Sequence, residues 1–392
     1  MKRDPERSFG AYNIADLRDA ARRRLPRGIY EYVERGVEDD IGLAANRAAF
    51  AAAKLLPKIG RDVSRIDMRT SLFGQEMAMP IIVAPTGSAG LIRHNGDVEL
   101  ARAAAAAGIP FTISSASTMN IEEIAVAGGR LWFQLYLWAD RALSHAAIDR
   151  ARAAGCEVLM VTVDIPVPPN REFNLRNGFG TPFRIGPKNV VDVLAHPRWL
   201  AGVMGRYAVS GGMPKQANLP KELRTSVTKS AVIGAAFKSD NLTWDEIRSL
   251  RARWPGIFVL KGILRPDDAV RAVDLGADGV IVSNHGGRSL DGSLPSFSAL
   301  PAIVDAIGHR ATILLDSGVQ RGSDALRAVA SGASAVMVGR APLYGLAIGG
   351  EAGVARALSL LAHELRVAMA LTGSRTVAEI TPDLLAAPRA EA

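Results

Sequence analysis

A single cysteine, Cys156, stands in the whole chain, so no intrachain disulfide can form. It lies in the apolar run Cys156-Glu157-Val158-Leu159-Met160 and reads as a buried thiol in a protein of a reducing compartment. No uninterrupted apolar run reaches the roughly 18 residues that a membrane-spanning helix needs. The stretch from Met1 to Arg7 is charged and lacks the apolar core of a signal peptide, so a cytoplasmic protein is expected. Acidic residues are scarce in one segment. Between positions 184 and 238 nine Lys/Arg (Arg184, Lys188, Arg198, Arg206, Lys215, Lys221, Arg224, Lys229, Lys238) face only Asp192 and Glu222, and nearly all of the +8 net charge sits there. Such a block suits a solvated face or an anionic membrane surface; with no recognised nucleic-acid module beside it, a nucleic-acid partner is not expected.

What is present is an ordinary globular composition, 48% hydrophobic and 22% charged, in 392 residues. Length alone allows two average domains or one large barrel, and pattern decides. Residues 13 to 52 read as helices, with Ile14, Leu17, Ala20 and Ala21 in one stripe and Ile29, Tyr30 and Val33 opening another after Pro26. From Ile81 short apolar runs alternate with Ala/Leu-rich helical segments. The runs are Ile81 to Ala84, Pro110 to Ser114, Leu131 to Tyr136, Val158 to Val163, Ile257 to Lys261, Gly279 to Ser283, Thr312 to Asp316 and Ala335 to Gly339. Helices are expected from Gly96, Ile121, Arg141, Trp244, Pro266, Ser298, Ser323 and Gly353, six of them closed by Gly108, Gly128, Gly155, Gly276, Gly308 and Gly332. Strands this apolar are buried on both faces, and eight βα units close more readily than they leave two sheet edges open. The expectation is an α/β chain forming one (β/α)8 TIM barrel over 81–372. An N-terminal helical cap and lead-in precede it over 13–80, and a long insertion follows strand four over 165–242.

Active sites of such barrels gather at strand C-terminal ends. Those ends hold Pro85-Thr86-Gly87, Ser114, Gln134 with Tyr136, Thr162 with Asp164, Lys261, Ser283-Asn284-His285, Asp316-Ser317-Gly318 and Gly339-Arg340. Any one Ser or Thr there is unremarkable, because strand ends are polar in any case. Eight together, with a Lys, a His and an Asp among them, are harder to dismiss. Small residues and an Arg after strands seven and eight suit an anion, so a phosphorylated cofactor or substrate is expected. In Ser283-Asn284-His285-Gly286-Gly287-Arg288-Ser289-Leu290-Asp291 a histidine suited to proton abstraction stands three residues before an arginine able to grip a carboxylate. The two glycines between them are read as room for a substrate. No metal site is expected.

These residues resemble the FMN-dependent L-2-hydroxy acid oxidase and dehydrogenase family, whose members include glycolate oxidase, L-lactate dehydrogenase and (S)-mandelate dehydrogenase. The likeness spans about residues 12 to 382 and rests on Ser283 to Asp291, Phe133-Gln134-Leu135-Tyr136, Thr162-Val163-Asp164, Lys261-Gly262 and Gly339-Arg340, in matching order. It implies FMN contacts at Pro85, Thr86, Gly87, Ser114, Gln134, Thr162, Lys261, Ser283, Asp316, Ser317, Gly318, Gln320, Gly339 and Arg340. It implies a substrate site at Tyr30, Tyr136, Arg171, His285 and Arg288, and catalytic roles for His285, Asp164, Tyr136 and Lys261. Gln320 departs from the family, which usually has Arg there; the phosphate contact is either weakened or taken over by Arg321.

The resemblance also bears on substrate and electron acceptor. Gly87 and Ala116 are smaller than their counterparts in glycolate oxidase, which implies a roomier pocket. Gly87 is shared with dehydrogenases that react poorly with oxygen. His196-Pro197-Arg198-Trp199 and the segment from Gly212 to Asn218 resemble the membrane-binding loop of mandelate dehydrogenase. The resulting expectation is a mandelate- or lactate-like 2-hydroxy acid oxidised to the 2-oxo acid, with electrons passed to a quinone. The protein would be a homotetramer, peripheral on the cytoplasmic face of the inner membrane. A soluble oxidase that makes hydrogen peroxide is the rival within the family, a mobile active-site lid the rival reading of the insertion, and a flavin-free barrel acting on phosphorylated substrates the rival of another class.

Overall fold

The computed structural model describes residues 9–178, 186–210, 212–219 and 240–386. Three helices come first: α1 (Ile14–Arg24), α2 (Arg27–Glu34) and α3 (Ile41–Ala52). The Asn13 side chain caps α1 by accepting from the Asp16 N–H, and Pro26 separates α1 from α2. A hairpin follows, β1 (Thr70–Leu72) with β2 (Gln75–Met77), in the lead-in where the sequence reading named no strand.

Among the described residues eight parallel strands then close into a barrel. They are β3 (Ile81–Val83), β4 (Phe111–Ser114), β5 (Leu131–Leu135), β6 (Val158–Thr162), β7 (Ile257–Ile263), β8 (Gly279–Val282), β9 (Thr312–Leu315) and β10 (Ala335–Val338). These match the eight apolar runs in order. Helices lie between them, and Gly108, Gly128, Gly155, Gly276 and Gly332 end theirs with positive φ; Gly308 does not. The helix after β10 begins at Arg340 and runs to Leu371, with a non-helical break at Gly350, so it starts well before the expected Gly353. Glycines at 345, 349, 350 and 353 conceal it, because Gly is a poor helix former.

Strand periodicity sorts side chains into two cores. Ile82, Ala84, Trp132, Val158, Met160, Val259, Ile281, Leu314, Ala335 and Met337 pack together inside the barrel. Their neighbours Ile81, Val83, Phe133, Leu159, Val161, Leu260, Val280, Val282, Ile313, Leu315, Val336 and Val338 pack outward under the helices. Leu72, Phe73 and Met77 of the hairpin join the inner core and stopper its N-terminal end. A further two-residue step along the same faces leads from Trp132 to Gln134, Met160 to Thr162, Val259 to Lys261, Ile281 to Ser283, Leu314 to Asp316 and Met337 to Gly339. The polar strand-end ring is therefore the top layer of the barrel interior.

The described part of the insertion after β6 forms short helices over Glu172–Arg176, Pro187–Leu194 and Pro197–Trp199, a π-helical turn over Leu200–Gly205, and Arg206–Val209. It is pinned to the barrel by polar anchors. The Trp199 indole N–H donates to the Leu91 carbonyl at 2.8 Å, the Arg27 N–H donates to Asp192 at 2.7 Å, and Asn218 meets the Ile121 N–H at 3.0 Å. Val191, Leu194 and Val209 are left exposed, beside a groove lined by Pro197, Leu200, Ala201, Met204, Ala208 and Met213. Of the basic block, Arg184, Lys221, Arg224, Lys229 and Lys238 lie outside the described residues.

Candidate active site

His285 follows β8 with φ 60°, and Gly286 and Gly287 continue in the same left-handed region. For a non-glycine residue this conformation costs about 1–3 kcal/mol, so the surroundings must hold it. They do so at several points. The Ser283 hydroxyl accepts from the His285 N–H at 3.0 Å, Ser317 Oγ accepts from the Gly286 N–H at 2.8 Å, and Asn284 and Asn46 of α3 exchange amide hydrogen bonds at 2.9 Å. Asp291 accepts from the N–H groups of Asp39, Ile41 and Gly42 and so serves the N-terminus of α3. A Cβ on Gly287 would stand 2.6 Å from the Leu43 nitrogen. Gly287 thus makes room for α3 and not for substrate, a correction to the sequence reading, whereas Gly286 makes room for Arg340 and also borders the cavity.

The imidazole is wired at both ends. Its Nδ1 lies 3.0 Å from Asp164 Oδ1 and its Nε2 lies 3.1 Å from the Tyr136 hydroxyl. Asp164 follows β6 and sits directly on Gly262 of β7, where a Cβ would come within 2.5 Å of the Asp164 Cβ. Desolvation lowers the His285 pKa below the ordinary imidazole value; Asp164 opposes this, and the charges of Lys261 and Arg171 reinforce it. Burial pushes Asp164 up, but the attraction of His285 and Lys261 outweighs that and leaves its carboxyl below the usual range. One state satisfies both shifts: a neutral imidazole donating from Nδ1 to a carboxylate, with the Nε2 lone pair accepting from the Tyr136 hydroxyl and able to take a substrate proton in its place. Burial and then Asp164 push the Tyr136 phenol up to about 12, so it remains a donor.

Lys261, buried in the floor, lies 2.8 Å from Asp316 and donates to Ser283 at 2.9 Å. Desolvation lowers its pKa, but Asp316 and Asp164 prevail, and the ammonium is held above its ordinary value. In the same layer Ser114, Gln134 and Thr162 form a chain, with Gln134 Nε2 donating to Thr162 at 2.9 Å and Ser114 donating to Gln134 Oε1 at 3.1 Å. Of these, Thr162 and Lys261 line the cavity directly.

Arg171 from the insertion and Arg288 from the His285 loop come together, Arg171 donating to the Arg288 carbonyl at 3.3 Å. Arg288 donates to the Arg35 carbonyl at 2.6 Å, and its guanidinium stacks 5.3 Å from the centre of the Tyr32 ring. Burial, then Arg171 and Arg340, lower its pKa. A pair of half-buried guanidinium groups lining one cavity suits an anionic ligand. Tyr30, expected here, does not line the cavity; Tyr32 does. Two residues along a helix turn a side chain by about 200°, and Tyr30 instead faces Glu34 and Arg18. The stripe read from the sequence took in Ile29, Tyr30 and Val33 and so drew attention to Tyr30 instead of Tyr32.

Around Asp316 the Ser317 hydroxyl donates to the Asp316 carboxylate at 2.8 Å, and Ser317 has φ 75°. Gln320 lines the cavity. Arg321 does not replace it, because its guanidinium is paired with Glu364 and absent from the lining. Arg47 of α3, which sequence reasoning missed, is in the lining and donates to the Gly318 carbonyl. Arg340 lines the cavity too, donating to the carbonyls of Val33 at 3.0 Å and Gly286 at 2.9 Å.

All these groups border one cavity of about 380 Å³. Ala84, Pro85, Gly87 and Met337 give it an apolar wall that suits a planar ring, Lys261 faces it with a buried positive charge, and Asp316 offers a carboxylate to a polyol. Beyond them Ser317, Gly318 and Gly339 keep side-chain bulk away from a phosphate, and the helix starting at Arg340 points its N-terminus there. The residues fit a phosphorylated flavin.

Fold and site together define a barrel oxidoreductase that positions a histidine base and paired arginines over a phosphorylated redox cofactor. The chain belongs to the FMN-dependent dehydrogenase family, whose model matches residues 21–387. It is 43% identical over 378 residues to an L-lactate dehydrogenase of Ectopseudomonas mendocina, covering 95% of this chain and 98% of that one. An L-lactate dehydrogenase of Pectobacterium atrosepticum is 42% identical over 373 residues, 94% of this chain and 95% of the relative. The crystal structure of a monotopic membrane protein, (S)-mandelate dehydrogenase, superposes with a TM-score of 0.91 at 38% identity, covering 96% of this chain and 99% of that one. A soluble mutant of the membrane-associated (S)-mandelate dehydrogenase from Pseudomonas putida gives 0.81 at 36% identity, covering 96% and 99%.

Proposed function

We propose that this chain oxidises a mandelate- or lactate-like L-2-hydroxy acid to the 2-oxo acid and passes the electrons to a quinone at a membrane surface. The observation that carries the reading is a neutral His285, backed by Asp164 and facing a cavity that also holds Arg171 and Arg288. Arg171 and Arg288 bind the substrate carboxylate, Tyr32 and Tyr136 border the carbon and hydroxyl that react, and His285 Nε2 receives a proton from the substrate. Asp164 orients the ring and stabilises the imidazolium that results. Bound FMN supplies the two-electron acceptor. Pro85, Thr86, Gly87, Thr162, Lys261, Asp316, Ser317, Gly318, Gln320, Gly339 and Arg340 line its place, with Ser114, Gln134 and Ser283 supporting them from behind. Lys261 presents positive charge where the cofactor gains negative charge.

The acceptor and the membrane rest on the insertion. Exposed Val191, Leu194 and Val209 and the apolar groove beside them form a surface suited to lipid, with Lys188, Arg198 and Arg206 on the same segment to meet anionic headgroups. Tetramer assembly and placement on the cytoplasmic face of the inner membrane belong to the same reading. The decisive experiment reduces the purified, flavin-loaded protein anaerobically with a panel of L- and D-2-hydroxy acids while flavin absorbance is followed. The reduced protein is then mixed with air or with a quinone. Bleaching by the L acids and fast reoxidation by the quinone are expected; rapid peroxide formation in air would assign a soluble oxidase instead.

A further inference from the structure

The cradle formed by Ser317, Gly318 and Gly339 is short of positive charge. Gln320 is neutral, and Arg321 is paired with Glu364 outside the cavity. Among the described residues, the Lys and Arg side chains lining the cavity are Arg47, Arg171, Lys261, Arg288 and Arg340. Lys261 is neutralised by Asp316 in the floor. Arg171 and Arg288 form the pair bordering the His285 loop, and Arg340 is turned into the carbonyls of Val33, Arg35 and Gly286, close enough to Arg288 to depress its pKa. That leaves Arg47.

Arg47 rises from α3, and one terminal nitrogen reaches both the Gly318 carbonyl and Asp324, the latter at 2.6 Å. Arg47 lines the cavity, and a third of its side chain is accessible to solvent. Its second service is electrostatic. Asp324 is buried and accepts from the Gln320 and Arg321 N–H groups at 3.0 Å, so its carboxylate stands just behind the cradle. An anion placed there without Arg47 would meet that negative charge with Arg327, 3.6 Å away, as its main counterion. The arm that carries Arg47 is itself fixed, because Asn46 pairs with Asn284 and Asp291 serves the N-terminus of α3.

We propose that Arg47 is the cation that recognises the phosphoryl group of the cofactor, in place of the neutral Gln320. The inference rests on FMN binding, and it assigns to a helix outside the barrel a function that barrel loops alone do not complete. The test strips the full-length chain of flavin and titrates it with FMN and with riboflavin, which lacks the phosphate, reading protein-induced quenching of flavin fluorescence. Arg47→Ala and Arg47→Gln are each expected to weaken FMN by about 10- to 100-fold, as loss of a charge-assisted hydrogen bond does. Riboflavin affinity should change by less than about twofold, and the dependence of FMN affinity on salt should become shallower. Adding Gln320→Arg to Arg47→Ala should restore FMN affinity. Equal losses for FMN and riboflavin would show that Arg47 is only a strut between α3 and Gly318 and would overturn the proposal, as would unchanged FMN affinity. Arg47→Gln keeps a side chain able to donate to Gly318, so it answers the question if the alanine variant does not fold. An unmodified chain that takes up neither flavin would overturn the cofactor reading itself, and this inference with it.

Discussion

The two ends of the cavity are built differently. At the His285 end the two acid–base pairs join strand termini: His285 with Asp164 and Lys261 with Asp316, with Ser283 touching both His285 and Lys261. At the Gly318 end the strand loops supply shape but little free charge, and the guanidinium comes from α3, some 270 residues earlier in the chain. Chemistry is thus entrusted to the most rigid layer of the barrel, where a small displacement would be costly. Retention of the cofactor is shared with a helix packed on from outside.

The contrast can be broken most severely at His285. His285→Ala should lower kcat by about 10²- to 10⁴-fold, the usual worth of a general base, and leave FMN affinity intact. Parallel loss of flavin in the purified variant would mean that the two ends are not separable. Asp164→Asn comes next, with about a 100-fold loss in kcat and a change in pH profile. Because desolvation holds His285 below the ordinary imidazole value, activity should persist into mildly acidic solution and fall as pH drops through that lowered pKa. Removing the Asp164 charge, which raises the His285 pKa, should move this acid limb of kcat/KM to still lower pH. Movement to higher pH would refute the pairing. Arg288→Lys replaces a planar fork by a point charge, and an increase of about tenfold in KM is expected, with FMN affinity unchanged, in steady-state assays. The smallest effect distinguishes two tyrosines: Tyr32→Phe should alter KM by a few-fold, whereas Tyr30→Phe should be indistinguishable from the parent.

The barrel was legible in the sequence because its signal is local. Eight apolar runs, each ending on or followed closely by a polar or glycine residue, name both the strands and the ring above them, and period-2 alternation carries Val259 to Lys261 and Leu314 to Asp316. A catalytic role for Asp164 was reached through family resemblance, and the close approach that Gly262 permits helps to place it beside His285. Contributions from α2 and α3 were not legible. Whether Tyr30 or Tyr32 enters the cavity depends on how α2 is rotated against the barrel, and nothing in Asn46-Arg47 announces a contact with Gly318. The hairpin over residues 70–77 escaped for a different reason. Its strands have three residues each, too short to show alternation, although Leu72 and Met77 close the barrel floor.

The attachment of α3 has a further consequence. Through Asn46 it holds the loop of His285, through Asp291 it is held by that loop, and through Arg47 it grips Gly318. A cofactor bound against this helix acts as a ligand of the folded state alone, worth about 2.7 kcal/mol when its free concentration is a hundred times its Kd. Lowering the free flavin concentration should therefore destabilise the folded chain as well as slow its turnover. Preparations that have shed their yellow colour should be the first to lose the N-terminal helices to proteolysis, before the barrel beneath them opens.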